Sequence, residues 1–404
     1  MPRSTRAATH STATMAMGST ARCAWRKGIA LYRGSHGGAH REAAFAHAGA
    51  ARSAGCRPRT SHAHALRVKP RGLGIAFGTT PRGLASSAVS PLVDAVWLAD
   101  ARAARGDRVK VLDATWYLSS AERNGKEEFM ARRISGARFF DIETISDARS
   151  SLSKTIPPAD AFAAAMDSLG VRNEDTVVVY ASASPAWAAA RCWWHIKAMG
   201  HSDVRVLDGG LAAWRAAGFE VDESPTSEIA VEEPGQACMR MQDGPSLPHH
   251  LIPPTYRPSD PTPDRPGGLF ARKEDILASL DAGAPSLTIM DARGRGRFTG
   301  ETPEARPGLR SGHIPGSASV PYASLVDADG RMLAPDELRE VIETSGVELG
   351  GEGDVVATCG SGVTACVIAL ALEQIGHGER VAVYDGSWSD WGREDSGCPV
   401  EVGL

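Results

Sequence analysis

Residues 94–404 of this 404-residue chain carry an internal repeat, which restricts the fold more than any single motif. KVLDATW around Asp113 returns as LTIMDAR around Asp291, 178 positions later. Ile134-Ser135-Gly136-Ala137 returns as Ile314-Pro315-Gly316-Ser317 after 180, and the run ending at Ala181 returns as the run ending at Cys359 after 178. Leu207-Asp208-Gly209 with Trp214 returns as Tyr384-Asp385-Gly386 with Trp391 after 177. Four matches in one order at near-constant offset describe a duplicated domain, because a solenoid repeats at much shorter periods.

Each copy alternates short apolar runs with helical stretches. VKVLD, TVVVY and VRVLD in the first copy, and LTIMD, DVVAT and VAVYD in the second, read as buried strands. ADAFAAAMDSLG, PAWAAARCWWHIKAMG and TACVIALALEQIG read as helices, each closed by glycine. The alternation predicts the α/β class: two domains, each a mainly parallel sheet with helices on both faces. Between the copies, residues 224–267 hold ten prolines in 44 positions, a density that reads as a linker over the surface.

Charge is unevenly placed. The formal net charge is −4, yet residues 1–93 hold fourteen Lys and Arg against one acid, Glu42, which leaves a net of −17 on the remainder. A basic, hydroxyl-rich, acid-poor leader over 1–89 has the composition of an organelle transit peptide. An acidic body argues against nucleic acid as a partner. No apolar run is long enough for a membrane span. Seven scattered cysteines form neither a disulfide framework nor a zinc-ligand pattern, so no metal is expected.

The chemistry points to Asp354-Val-Val-Ala-Thr-Cys359-Gly360-Ser361-Gly362-Val363-Thr364, an apolar strand that runs into a cysteine and then a helix beginning near Thr364. Gly360 and Gly362 let the backbone curl, so the loop N–H groups are expected to converge on the sulfur, with the helix N-terminus adding positive potential. Both effects favour the thiolate, the nucleophilic form. Cys366 and Cys192 read as core.

The loop CGSGVTAC resembles the active-site loop of 3-mercaptopyruvate sulfurtransferases, members of the tandem rhodanese superfamily. Supporting stretches are ISGARFFDI, CWWHIKAMGH and VLDGGLAAW in the first copy, and GRFTGETPEAR, SGHIPGSASVPY and YDGSWSDWG in the second. The resemblance implies two tandem rhodanese-like domains, 90–223 and 268–404. The first is catalytically silent, because Ala181 stands where the second has Cys359. It implies that Cys359 carries a persulfide and that Arg297 and Arg306 bind the donor's carboxylate and ketone, with Gly360, Gly362, Val363 and Thr364 lining the substrate. Ser361 is implied to assist at the donor thiol. The family's Asp and His partners of that serine align with Glu143 and Lys154, and a lysine does not shuttle protons as histidine does near neutrality.

The expected function is transfer of a sulfane sulfur from 3-mercaptopyruvate to cyanide, a small thiol or thioredoxin, releasing pyruvate without a cofactor. Thiosulfate:cyanide sulfurtransferase and a non-catalytic sulfur-binding module are the alternatives. The neutral Gly360 and Ser361 suit a monoanionic thiol-ketoacid better than the thiosulfate dianion. A cysteine phosphatase of related fold needs an arginine six positions after the cysteine, where this chain has Ala365. The arginine content and the family point to the mitochondrion, with plastid or cytoplasm as alternatives.

Overall fold

The computed structural model describes residues 90–182, 187–225, 255–258, 269–282, 286–350 and 353–404. The leader over 1–89 lies outside these residues, as does most of the proline-rich segment.

The first copy contributes strands β1 (Leu92–Val93), β2 (Val109–Asp113), β3 (Arg133–Ile134), β4 (Arg138–Phe139), β5 (Thr176–Tyr180), β6 (Val204–Leu207) and β7 (Val221–Asp222). Five of them form one sheet in the order β1-β6-β5-β2-β4, parallel at every pairing, while β3 and β7 make a separate antiparallel pair. The second copy contributes β8 (Phe270–Ala271), β9 (Leu287–Asp291), β10 (Ala318–Ser319), β11 (Asp354–Thr358) and β12 (Val381–Tyr384). Its sheet, read as β8-β12-β11-β9-β10, repeats the same order, again all parallel. The predicted strands fall at these positions because β-branched runs bounded by turns suit a strand buried on both faces.

The copies agree down to single hydrogen bonds. Ala114 N donates to Tyr180 O at 2.8 Å, as Ala292 N does to Thr358 O, and Phe140 N donates to Asp113 O at 2.8 Å where Val320 N donates to Asp291 O at 2.9 Å.

Helices α1 (Ala95–Arg105), α2 (Gly125–Ala131), α3 (Ala159–Ser168), α4 (Trp187–Ala198) and α5 (Gly210–Ala216) belong to the first copy. The second has α6 (Lys273–Asp281), α7 (Arg295–Thr299), α8 (Pro335–Thr344), α9 (Ala365–Gln374) and α10 (Ser387–Trp391). Side chains of β5 alternate: Val177 and Val179 enter a core shared by both copies, whereas Val178 and Tyr180 enter a core of the first copy alone. β11 does the same, with Ala357 in the shared core and Val356 in an outer cluster beside Trp388 and Trp391. Helices α4 and α9 pack against each other within the shared core. Both are buried nearly all round, which is why neither shows a polar face in sequence.

Polar links cross the same boundary. Lys197 pairs with Glu373 at 2.5 Å, Trp194 Nε1 donates to Leu269 O at 3.3 Å, and Met332 N donates to Asp208 Oδ1 at 3.0 Å. In the proline-rich segment, the described Thr255–Pro258 stretch does not simply lie over the surface. Tyr256 is 1% exposed, packs on Phe162 and donates or accepts at His201 Nδ1 over 3.1 Å.

Candidate active site

Strand β11 delivers Cys359 at its carboxyl end, and α9 starts at Ala365 after an N-cap at Thr364. The loop between them turns at Gly362, whose φ is +74°. A Cβ there would lie 2.5 Å from Asp385 O, so only glycine fits. At Gly360 a Cβ would lie 3.1 Å from Arg297 Nη2, so a side chain there would press on that guanidinium. Cys359 is 2% exposed and Val363 is buried, while Gly360, Ser361 and Thr364 are partly exposed.

The expected convergence of loop amides on the sulfur takes a different form. Cys359 N and Gly362 N donate to Ser387 Oγ, at 3.1 and 3.0 Å, and that hydroxyl lies 4.0 Å from Cys359 Sγ and donates to Tyr384 O at 2.7 Å. A side-chain oxygen thus collects two of the N–H groups within 4.0 Å of the thiol. Ser387 is fully buried and holds φ at +48°, a conformation rare for a residue with a Cβ. The first copy has Gly210 there at +56°, where a Cβ would meet Ala181 O at 2.1 Å. Sequence reasoning passed over Ser387. Its signal was the repeat itself, in which DGS of one copy faces DGG of the other.

Arg297, on α7, lies against Gly360, the residue next to Cys359. Its Nε donates to Glu304 at 3.1 and 3.2 Å, and its Nη2 makes a further short contact with Glu304 Oε2. Glu304 also accepts from Arg293 Nη1 at 2.7 Å, and Arg293 is fixed in turn by Asp291, at 2.6 Å from Nη2 to Oδ2. A buried chain, Asp291–Arg293–Glu304, therefore aims a partly exposed Arg297 at Gly360. Arg306 is exposed, and its Nη1 donates to Ser389 Oγ at 2.5 Å, which in turn donates to Gly360 O at 2.6 Å. Both arginines thus meet the loop through Gly360. Glu304 and Arg293 were not singled out in sequence.

The first copy closes the other side. Lys154 Nζ lies 3.5 Å from Glu143 Oε1 and 4.4 Å above the Trp116 ring, whose Nε1 donates to Glu143 at 3.0 Å. The Lys154 side chain is mostly buried. Burial lowers its pKa, and Arg306 and Arg191 lower it further, against the opposing pull of Glu143. Glu143 and Lys154 are therefore brought together, whereas Ser361 makes no hydrogen bond among the described residues. Arg191, from α4, reaches across to Gly362 O at 2.8 Å and Asp385 Oδ1 at 2.5 Å. Cys366 is buried with its thiol on Gly362 O at 3.2 Å, and burial raises its pKa to about 12, so it is inert packing beside the loop.

A cavity of about 350 Å³ lined by Trp193, Lys197, His201, Arg205 and Glu373 contains none of these residues. Among the described residues, no cluster of His, Cys, Asp or Glu is arranged to hold a metal ion, and no helix is long and apolar enough to cross a membrane.

Comparison with known proteins matches the rhodanese-like domain twice, at residues 96–217 and 273–394. The chain belongs to the rhodanese-like domain family. One relative is the mitochondrial thiosulfate/3-mercaptopyruvate sulfurtransferase 1 of Arabidopsis thaliana, 34% identical over 80% of this chain and 82% of that protein. Another is the 3-mercaptopyruvate sulfurtransferase of Rattus norvegicus, 36% identical over 74% of this chain and 91% of that one. Among solved structures, the crystal structure of SseA from Escherichia coli, described with the 3-mercaptopyruvate sulfotransferases, aligns at a TM-score of 0.59 and 30% identity, covering 74% of this chain and 99% of that one. The two rhodanese sheets described above are the fold that the resemblance implied.

Proposed function

We propose that this chain is a sulfurtransferase that moves a sulfane sulfur from 3-mercaptopyruvate, through a persulfide on Cys359, to a thiol or cyanide acceptor. The observation that carries this reading is Arg297, aimed by buried Glu304 at the residue beside the nucleophile. An anionic donor held there by two parallel hydrogen bonds presents its sulfur to Cys359. The thiolate attacks that sulfur and the C–S bond breaks. Its electron pair goes to the carbon as pyruvate enolate, which is protonated to pyruvate. The acceptor then attacks the outer sulfur and Cys359 leaves as thiolate. Cyanide, a small thiol or thioredoxin fills the acceptor role. No metal or organic cofactor enters this scheme.

Ser361, at the rim beside Gly360, meets the donor thiol. Gly360, Gly362, Val363 and Thr364 shape the loop around it. Thiosulfate is a second donor, a reading supported by a relative named for both donors. The working unit is the pair 90–223 and 268–404, joined by 224–267, and the basic 1–89 leader directs the chain to the mitochondrion, where one relative is placed.

The test is Cys359→Ser in the full chain. Pyruvate release from 3-mercaptopyruvate and thiocyanate formation from thiosulfate should both fall to background. Mass spectrometry of the parent protein after donor exposure should show one added sulfur on the peptide containing Cys359. Full turnover by the variant removes Cys359 from the reaction, and the ratio of kcat/KM for the two donors ranks them.

A further inference from the structure

The copy without a cysteine sends one side chain into the loop of the copy that has it. Arg191 lies on α4, is fully buried, and besides a longer contact to Cys366 Sγ at 3.8 Å donates to three oxygen acceptors in three separate segments. Nη1 reaches Gly362 O at 2.8 Å, while Nη2 reaches Asp385 Oδ1 at 2.5 Å and Lys154 O at 2.5 Å. Asp385 spends its other oxygen, Oδ2, on Ile156 N at 2.8 Å. Gly362 fits this clamp only as glycine, since a Cβ would lie 2.9 Å from Arg191 Nη1.

The three acceptors are not equivalent. Gly362 O belongs to the peptide shared with Val363, so this bond holds the loop on the carbonyl side of the residue whose own N–H meets Ser387 Oγ. Asp385 stands two residues before Ser387 in the turn that positions that hydroxyl. The Lys154 carbonyl belongs to the rim that brings Lys154 and Glu143 together, and Lys154 is held there at φ +66°. One guanidinium therefore sets the register of loop, hydroxyl turn and rim at once. Lysine, a point donor, has no planar fork with which to do the same.

We propose that Arg191 is a positioning residue for sulfur transfer: acting through Gly362 and Asp385, it holds the Cys359 loop against Ser387, and this is a contribution of the silent domain to the chemistry of the other. The inference rests on the sulfurtransferase reading for its kinetic test alone, because the loop geometry can be followed without turnover.

The experiment uses the full chain with Arg191→Lys, Arg191→Gln and Asp385→Asn. Asparagine has one acceptor oxygen, so it cannot serve both Arg191 and Ile156 N. Two readouts are taken. The first is turnover per Cys359 able to accept one sulfur, counted by mass spectrometry, with the donor KM. The second is hydrogen–deuterium exchange of the 359–366 peptide against that of β9, with iodoacetamide labelling of Cys192, Cys366 and Cys398 as the check on folding.

A merely structural role would lower the number of competent sites and leave turnover per site unchanged. The clamp predicts that Arg191→Lys and Arg191→Gln lose about tenfold or more in kcat per competent site, the scale of a lost charge-assisted hydrogen bond. It also predicts a donor KM within about threefold of the parent, faster exchange confined to the loop peptide, and a smaller loss in the same direction for Asp385→Asn. Parent-like turnover per site together with parent-like loop exchange in any folded variant overturns the proposal. If the Arg191 variants label at all the buried cysteines, Asp385→Asn decides alone: parent-like behaviour there sinks the clamp. A parent protein that turns over neither donor defeats the sulfurtransferase reading instead, and loop exchange still decides on Arg191.

Discussion

Glu304 shows how much of this site is built by residues that meet no substrate. Its carboxylate is almost wholly buried between Arg293 and Arg297, and it satisfies both. Arg297 was legible only through the family resemblance, since taken alone it reads as a solvated charge. Glu304 was not, because either glutamate of a stretch like GETPEAR reads as a solvated charge. The same holds for Arg191, which within AAARCWW reads as a helix residue of no particular consequence until two copies are folded together. Glu304→Gln keeps an acceptor for one arginine but removes the charge that holds both. We expect the KM for 3-mercaptopyruvate to rise by about five- to tenfold while kcat changes less, as suits a loss in ground-state and transition-state binding alike. Steady-state kinetics on the purified variant checks this, and an unchanged KM would separate Glu304 from donor binding.

At the level of single elements, equivalent strand ends have diverged. β9 ends at Asp291, whose carboxylate is engaged by Arg293. β2 ends at Asp113, equally buried, but two residues on it meets Thr115 instead of an arginine. Thr115 bonds one oxygen, and the other makes no well-formed hydrogen bond among the described residues, with the Tyr180 hydroxyl close by. Burial pushes the Asp113 pKa up to about 6, against the smaller opposing effect of Thr115.

A carboxyl whose folded pKa lies above its unfolded value of about 3.8 favours the fold when protonated. Its contribution is intact below about pH 4 and is lost as the pH rises towards 6, leaving a cost of about 3 kcal/mol at neutrality. Asp113→Asn, which never ionises, should therefore raise the melting temperature by several degrees at pH 7.5 and by less at pH 5. Melting curves at the two pH values decide, and an equal gain at both would contradict the account. The positions of β2 and β9 were plain in the sequence, since VKVLD and LTIMD are strand-like in themselves. The fate of the closing aspartate was not, because it depends on whether position 115 or 293 can reach back with a charge.

On the scale of the whole molecule, the repeat announced two like domains, and two like sheets are present. What the repeat could not announce is that α4 and α9 share one core. Each of these helices is apolar on nearly every side, and such a helix can be buried in its own domain or against a neighbour with the same residues. Here the neighbour is the other copy. A chain limited to 268–404 would keep Cys359, Ser387, Arg297 and Glu304, yet it would expose the α9 surface that meets α4 and lose Arg191. We expect it to accumulate as aggregate, and to regain solubility when 90–223 is co-expressed. A soluble, active half would refute the shared core as a requirement.

The buried backbone of Ser387 has a consequence for how such a protein can change over time. A serine held at φ +48° has a Cβ its neighbours already accommodate, so the turn is committed to a small side chain in an uncomfortable pose. Glycine relieves the pose and discards the hydroxyl, and the first copy, with Gly210 in that place, has that form. Loss of the oxygen thus sets relief of the pose against two buried N–H groups, of Cys359 and Gly362, left without their acceptor. In the first copy the Ala181 carbonyl stands 2.1 Å from where a Cβ would be, so a hydroxyl could return there only if the backbone moved.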